Sequence, residues 1–154
     1  MSELVIREAI SADIPGILSL YAQPDYDDGD VLDEHAAAAI LAKASSYPFY
    51  RFYVAENAGA VVGTFALLVM DNIGHKGTPS AIVESVAVGP AHQGAGVGRR
   101  MMEHAISVAH AHGCYKLALS SNASRTRAHD FYEKLGFARH GFSFNVAIAH
   151  EERS

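Results

Sequence analysis

The chain carries one cysteine, no tryptophan, five prolines and no excess of positive charge. Each shortage closes off a class of protein. With Cys114 alone, no intrachain disulfide forms, and a reducing, cytoplasmic setting is expected. Lys and Arg number 12 against 17 Asp and Glu, a formal net charge of −5. That balance speaks against a nucleic-acid partner held by bulk charge and leaves room only for a local basic patch. The longest apolar runs, such as 63–70, fall far short of the ~20 residues a membrane-spanning helix needs, so no membrane partner is expected. Residues 1–7 show no basic stretch ahead of an apolar run, so no secretory signal is expected either. There is no internal repeat, low-complexity tract or linker composition.

Hydrophobic residues make up 49% of the chain and charged residues 19%, the composition of a soluble globular protein. A length of 154 residues suits one domain over 1–154, enough to bury roughly 70% of its unfolded surface.

Periodicity then divides the chain. Residues 4–7 read as an opening strand. Ser11 to Pro15 reads as a helix start, with Ile14, Ile17, Leu18 and Tyr21 at helical spacing up to Pro24. An acidic loop, Asp25-Tyr26-Asp27-Asp28-Gly29-Asp30, precedes a second helix capped by Asp33, with Ala37, Ile40, Leu41 and Ala44 on its apolar side. Residues 49–56 and 60–70 form a hairpin about Asn57-Ala58-Gly59. Gly74, Gly77 and Pro79 mark 71–80 as a loop, and 81–88 is a strand. Gly98, Met101, Met102, Ala105, Ile106 and Ala109 form the apolar stripe of the next helix, closed by Gly113. A strand at 115–120, a polar loop, a helix at 128–135 closed by Gly136, and strands at 137–140 and 143–149 complete the chain. The order is β-α-α-β-β-β-α-β-α-β-β: an α/β (α+β) fold with a mixed, mostly antiparallel sheet flanked by helices.

The informative stretch runs from Ile82 through Val88 into Gly89-Pro90-Ala91-His92-Gln93-Gly94-Ala95-Gly96-Val97-Gly98-Arg99-Arg100. A strand, a glycine-rich loop and a helix start together present free backbone N–H groups to an anion, phosphate above all. A Walker loop is excluded, because Gly98 is followed by Arg99-Arg100 rather than lysine and a hydroxyl residue. The dinucleotide fingerprint is excluded too. The glycines run G-x-G-x-G, and Leu119-Ser120-Ser121 offers no acid for a ribose.

Gln93-x-x-Gly96-x-Gly98 between strand and helix resembles the acetyl-CoA pyrophosphate loop of the GNAT superfamily of N-acetyltransferases. The late segment Ala128-His129-Asp130-Phe131-Tyr132-Glu133-Lys134-Leu135-Gly136-Phe137 is similar to that family's A-x-x-F-Y-x-x-x-G-F helix, and the element order matches over essentially the whole chain. The resemblance implies acetyl-CoA as cosubstrate and a small-molecule amine as acceptor, joined by direct attack in a ternary complex. It places the pyrophosphate on Gln93, Gly94, Ala95, Gly96, Val97, Gly98 and Arg99, with Arg100 adding local charge. It implies that 86–88 splays from its neighbouring strand, so that Val86, Ala87 and Val88 face the coenzyme and the Val88 N–H serves the oxyanion. Tyr132 stands beside the coenzyme sulfur as acid in that pattern, and Glu84 is the base for the amine proton.

Two positions depart from the pattern. Gln93 stands where many relatives have arginine. Arg125 stands where the usual late motif has asparagine, with Asn122 three residues earlier, so Arg125 is expected to reach a coenzyme phosphate, with Arg127 beside it.

Periodicity gives Tyr132 a competing place in a core face with Ala128, Phe131 and Leu135, and Glu84 a competing place in a structural ion pair. Nine histidines include no H-E-x-x-H and no i, i+4 pair on the helix bearing His104, His110 and His112, so no metal is expected. Cys114 reads as a small buried residue, and His75 as a loop residue able to line the acceptor side. The acidic loop, with Tyr21 and Tyr26, favours a cationic acceptor. Glu84-Ser85-Val86, residues 113–117 and residues 131–134 are also similar to the glucosamine-6-phosphate N-acetyltransferases. The acceptor therefore stays open between an amino sugar phosphate, a polyamine or aminoglycoside-like amine, and a protein lysine or N-terminus. The resemblance to those enzymes implies a homodimer, for which the apolar late residues Phe142, Phe144, Val146 and Ile148 offer an interface. A non-catalytic acyl-CoA-binding module is the alternative.

Overall fold

The structure, a computed structural model, describes residues 3–121 and 123–148. The chain forms two compact units, Met1–Leu119 and Ser120–Ser154.

The first unit is a five-stranded sheet in sequence order, β1 (Leu4–Glu8), β2 (Tyr50–Asn57), β3 (Ala60–Met70), β4 (Ser80–Val88) and β5 (Leu117–Leu119). Every pairing is antiparallel except β4 with β5, which is parallel. The β2–β3 turn places Ala58 and Gly59 at φ 50° and 82°, the left-handed pair that a two-residue hairpin with native twist requires. Three helices cover this sheet: α1 (Ile14–Tyr21), α2 (Glu34–Ala44) and α3 (Val97–Ala111).

α1 and α3 lie on opposite faces. Tyr53 and Phe65 stack on each other, and Tyr53 meets His104 of α3, so their row faces α3. Their sequence neighbours Phe52 and Thr64 face α1 and α2, as alternation demands. Two glycines allow the close packing. A Cβ on Gly16 would lie 2.8 Å from the Val61 Cβ, and one on Gly63 would lie 2.9 Å from the Met101 sulfur.

Local signals explain the helix ends. The Asp33 side chain accepts the Ala36 N–H at 2.8 Å, the expected cap of α2. α1 begins later than its first capping residue suggests, because Ser11–Asp13 forms a 3-10 turn. There the Asp13 carboxylate accepts from the Ile10 N–H at 2.8 Å and from both terminal nitrogens of Arg7 at 2.8 and 2.9 Å. On α3 the buried stripe is Val97, Met101, Met102, Ala105 and Ala109, while Ile106 is exposed. Gly113 closes the helix at φ 73°, its N–H bonded to the His110 carbonyl and that of Cys114 to the Ala109 carbonyl, a Schellman end.

The second unit contains α4 (Thr126–Lys134). The strands expected at 137–140 and 143–149 are not formed among the described residues. A strand needs a neighbour for its backbone groups, and no ladder reaches residues 137–148; residue 149 lies outside the described residues. Asn122 lies outside them as well. No helix among the described residues is long and apolar enough to cross a membrane.

Candidate active site

β4 gains its properties from one irregularity. Pairing with β3 runs regularly from Ser80 to Glu84, then shifts between Ala66 and Thr64, so that Ser85 and Val86 together oppose Phe65. Ser85 takes φ 57°, a left-handed conformation unusual for a residue with a Cβ. This is a β-bulge, which bends a strand and reverses the alternation beyond it. Glu84 pairs with Ala66 and Ala87 with Thr64, so Ala87 shares the Glu84 face. An unbroken period of two along β4 would put Glu84 on one face with Val86 and Val88, and the bulge breaks that period. Ile82 does share its face.

Glu84 is exposed. The apolar strand around it does not enclose the carboxylate, which is open to water. Its charge is felt by Tyr50, whose phenol pKa is raised first by burial, then by Tyr47 and then by Glu84.

Pairing of β4 with β5 stops at Val83 and Leu119. From Glu84 to Val88, β4 therefore has no ladder partner from β5. Gly89 donates its N–H to the Val62 carbonyl on the β3 side, so the polar groups of Val88 point the other way. Two glutamines verify the direction, because Gln23 and Gln93 donate side-chain N–H groups to the Val88 carbonyl at 3.2 and 3.3 Å. The Val88 N–H is turned toward that same open edge. Gln23 carried no signal in the sequence, since a lone glutamine after a helix has no pattern. Ser85 carried none either, because bulges with non-glycine residues leave no residue signature.

After Val88 the chain turns through a 3-10 segment, Pro90–His92, into the glycine loop. Gly94 and Gly96 adopt φ 81° and 89°, and a Cβ at either would meet nothing within 4 Å. They are required by backbone conformation rather than by crowding. Gly96 is also the cap of α3 and supplies no side-chain hydrogen bond. Its carbonyl accepts the Arg100 N–H, so the N–H groups of Val97, Gly98 and Arg99 precede the first intrahelical donor. Exposed glycines at 94 and 96 ahead of a 15-residue helix form an open cradle that fits a pyrophosphate. Of the two arginines, Arg99 is exposed and paired loosely with Glu103 at 3.5 Å. Arg100 is turned away and donates to the Leu4 carbonyl at 3.0 Å.

In the second unit, the F-Y-x-x-x-G-F pattern has a physical reading. Gly136 takes φ 99°, its N–H bonds to the Glu133 carbonyl, and the Phe137 N–H bonds to the Tyr132 carbonyl. These are the two bonds of a Schellman end, and the hydrophobic contact that accompanies it is Phe137 on Tyr132, ring centroids 5.7 Å apart. Phe131 meets the same ring at 5.1 Å. The motif thus holds the Tyr132 ring from two sides. Burial raises the Tyr132 pKa, while the charge of Arg125 opposes the rise. Arg125 is the residue preceding α4 and accepts the His129 N–H with its carbonyl.

Other candidates fall elsewhere. His75 precedes β4 in a tight turn and stacks on Tyr115 at 4.4 Å. Cys114 is partly buried, with its thiol pKa raised by desolvation, the opposite of an activated nucleophile. Among the described residues no cluster of three or more His, Cys, Asp or Glu side chains is arranged to hold a metal ion.

The comparisons agree with the fold. The family model described as the acetyltransferase (GNAT) family matches residues 14–137. A glucosamine 6-phosphate N-acetyltransferase of Trypanosoma brucei brucei is 30% identical over 90 residues, 58% of this chain and 59% of that protein. The chain thus spans well under two thirds of that relative. A solved structure of a putative acetyltransferase from Agrobacterium tumefaciens is 31% identical, covering 94% of this chain and 99% of that one with a TM-score of 0.86. The glucosamine-6-phosphate N-acetyltransferase of Arabidopsis thaliana shares the fold at a TM-score of 0.84 and 18% identity, covering 96% of this chain and 100% of that one. With the family model spanning most of its length, the chain belongs to the acetyltransferase (GNAT) family.

Proposed function

We propose that this protein is an enzyme that transfers the acetyl group of acetyl-CoA to a primary amine by direct attack in a ternary complex. The observation that carries the reading is the open edge of β4, with Glu84 exposed before the bulge, the Val88 N–H beyond it, and the glycine cradle at the start of α3. Acyl transfer to an amine needs a route for the amine proton, donors for the oxyanion and a fate for the thiolate. Glu84 takes the proton, directly or through water. The Val88 N–H donates to the carbonyl oxygen as it gains charge. The N–H groups of 94–99, with Gln93, Arg99 and Arg125, hold the coenzyme phosphates, and Val86 and Ala87 flank its acyl arm.

Tyr132 serves the leaving sulfur. An unperturbed phenol near pKa 10 is about 1.5 units weaker as an acid than a thiol near 8.5. Burial widens that gap, so Tyr132 acts chiefly by hydrogen bonding to the developing thiolate.

The protein is also proposed to be a homodimer through the apolar residues following α4. The transfer reading is tested by thiol release from acetyl-CoA across a panel of amines. Thiol formation with N-acetylated product is expected. Coenzyme binding without turnover on any amine would favour a non-catalytic acyl-CoA-binding module.

A further inference from the structure

Resting on the acetyl-transfer reading, we propose that the acceptor is a small cationic amine whose body is a single aromatic ring or an apolar group of similar size, seated between α1 and α2. A cavity of about 160 Å³ lies there, its wall built from Ile14, Ile17 and Leu18 of α1, Ile40 and Leu41 of α2, and Phe52 of β2, among others. An apolar cavity of about 150 Å³ accepts benzene, so the volume is that of one phenyl ring. Asp27 is the only charged residue in the lining, and neither lysine nor arginine contributes to it.

The cavity and the proposed base share a sheet face. Phe52 pairs with Ala66, and Ala66 pairs with Glu84, so the three share one row across β2, β3 and β4 on one sheet face. Two strand spacings of roughly 4.8 Å separate Phe52 from Glu84, about 10 Å in all. Tyr50, whose ring is 5.1 Å from that of Phe52, is close enough to Glu84 to feel its charge. Tyr21 lines the cavity and donates its hydroxyl to the Ser85 carbonyl at 3.3 Å, tying the wall to the residue beside Glu84. An amine at Glu84, a spacer of about two carbons and a ring beside Phe52 fit that distance.

The same lining argues against a phosphorylated amino sugar. A dianionic phosphate would meet Asp27 and aliphatic walls, with no cation to replace its water. Arg7, which precedes α1, is itself spent on Asp13 and Glu56.

The test compares 2-phenylethylamine, ethylamine, spermidine and glucosamine 6-phosphate by thiol release from acetyl-CoA. Seating a phenyl ring out of water should raise kcat/KM for 2-phenylethylamine about 30- to 100-fold over ethylamine. Preference for glucosamine 6-phosphate or spermidine overturns the inference and leaves acetyl transfer standing. Calorimetry with saturating coenzyme A gives a second readout that needs no turnover. 2-Phenylethylamine should bind, and Ile40→Asp or Leu32→Asp should weaken it about tenfold or more. Both lining residues are half-exposed, at 47 and 48%, so the variants should fold. Absence of binding overturns the inference. Binding that these variants abolish, with no amine giving thiol, supports the cavity as an amine site and overturns the transfer reading instead.

Discussion

Tyr132 and Glu84 occupy opposite electrostatic settings, and each setting yields a prediction. Burial disfavours the Tyr132 phenolate, so the group keeps its proton past its ordinary pKa near 10. The alkaline limb of kcat, measured at saturating amine, should therefore lie above pH 10, and Tyr132→Phe should lower kcat about 100-fold with little change in coenzyme affinity. An unchanged rate would remove Tyr132 from the chemistry. Glu84, exposed to water, is expected to act on a cationic amine. Glu84→Gln should cost about 100-fold at pH 7 and recover part of that loss toward pH 9, as solvent supplies the neutral amine. A pH-independent deficit would point to positioning rather than proton transfer.

Asp13 shows the stability counterpart. Only 6% of its side chain is exposed, and hydrogen bonds from Arg7 hold its carboxyl below the usual range against the cost of desolvation. A depressed folded-state pKa gives stability that is complete above about pH 4 and lost as pH falls further. Arg7→Met strands this carboxylate. It should cost about 2–3 kcal/mol at pH 7, less than a fully enclosed pair, since 32% of the Arg7 side chain is exposed. Urea titrations at pH 7 and pH 3 should show the gap between variant and wild type closing in acid.

At the level of elements, sequence and structure diverge where backbone conformation lacks a residue signature. The α2 cap was legible because Asp33 is a residue type chosen for that task. The end of α4 was legible because Gly136 and Phe137 recur together to close a helix. The β4 bulge was invisible, since Ser85 is an ordinary strand residue at a left-handed angle. Without the bulge, alternation misassigns every side chain from Val86 onward. The resemblance implied an opening at 86–88; in the structure β4 has no β5 partner from Glu84 to Val88. The glycine loop lies between these cases. Gly94 and Gly96 were found from spacing, but their reason is φ of 81° and 89°, not crowding. Gly96→Val should then strain the turn by about 1–3 kcal/mol even with free space around it. Acetyl-CoA should no longer raise Tm in that variant, while wild type at 100 Kd gains about 2.7 kcal/mol. Full retention of coenzyme protection would displace the pyrophosphate from this loop.

For the molecule as a whole, the residues after α4 are where local pattern least determines outcome. Alternating Phe142, Phe144, Val146 and Ile148 read as strand, yet they are 91, 91, 80 and 72% exposed and join no ladder among the described residues. Alternation shows what a segment can become when a partner is supplied; it does not supply the partner. Four large apolar side chains in open water are a liability for an isolated monomer. A second copy would cover them in a way that closes on itself, since a two-fold pairing presents the same patch from both subunits. Sedimentation equilibrium at micromolar concentration should accordingly give about twice the 16.5 kDa chain mass. Phe144→Asp should shift the equilibrium to monomer by placing a charge at the centre of the patch. A wild-type monomer, or a dimer indifferent to Phe144→Asp, would remove these residues from the interface.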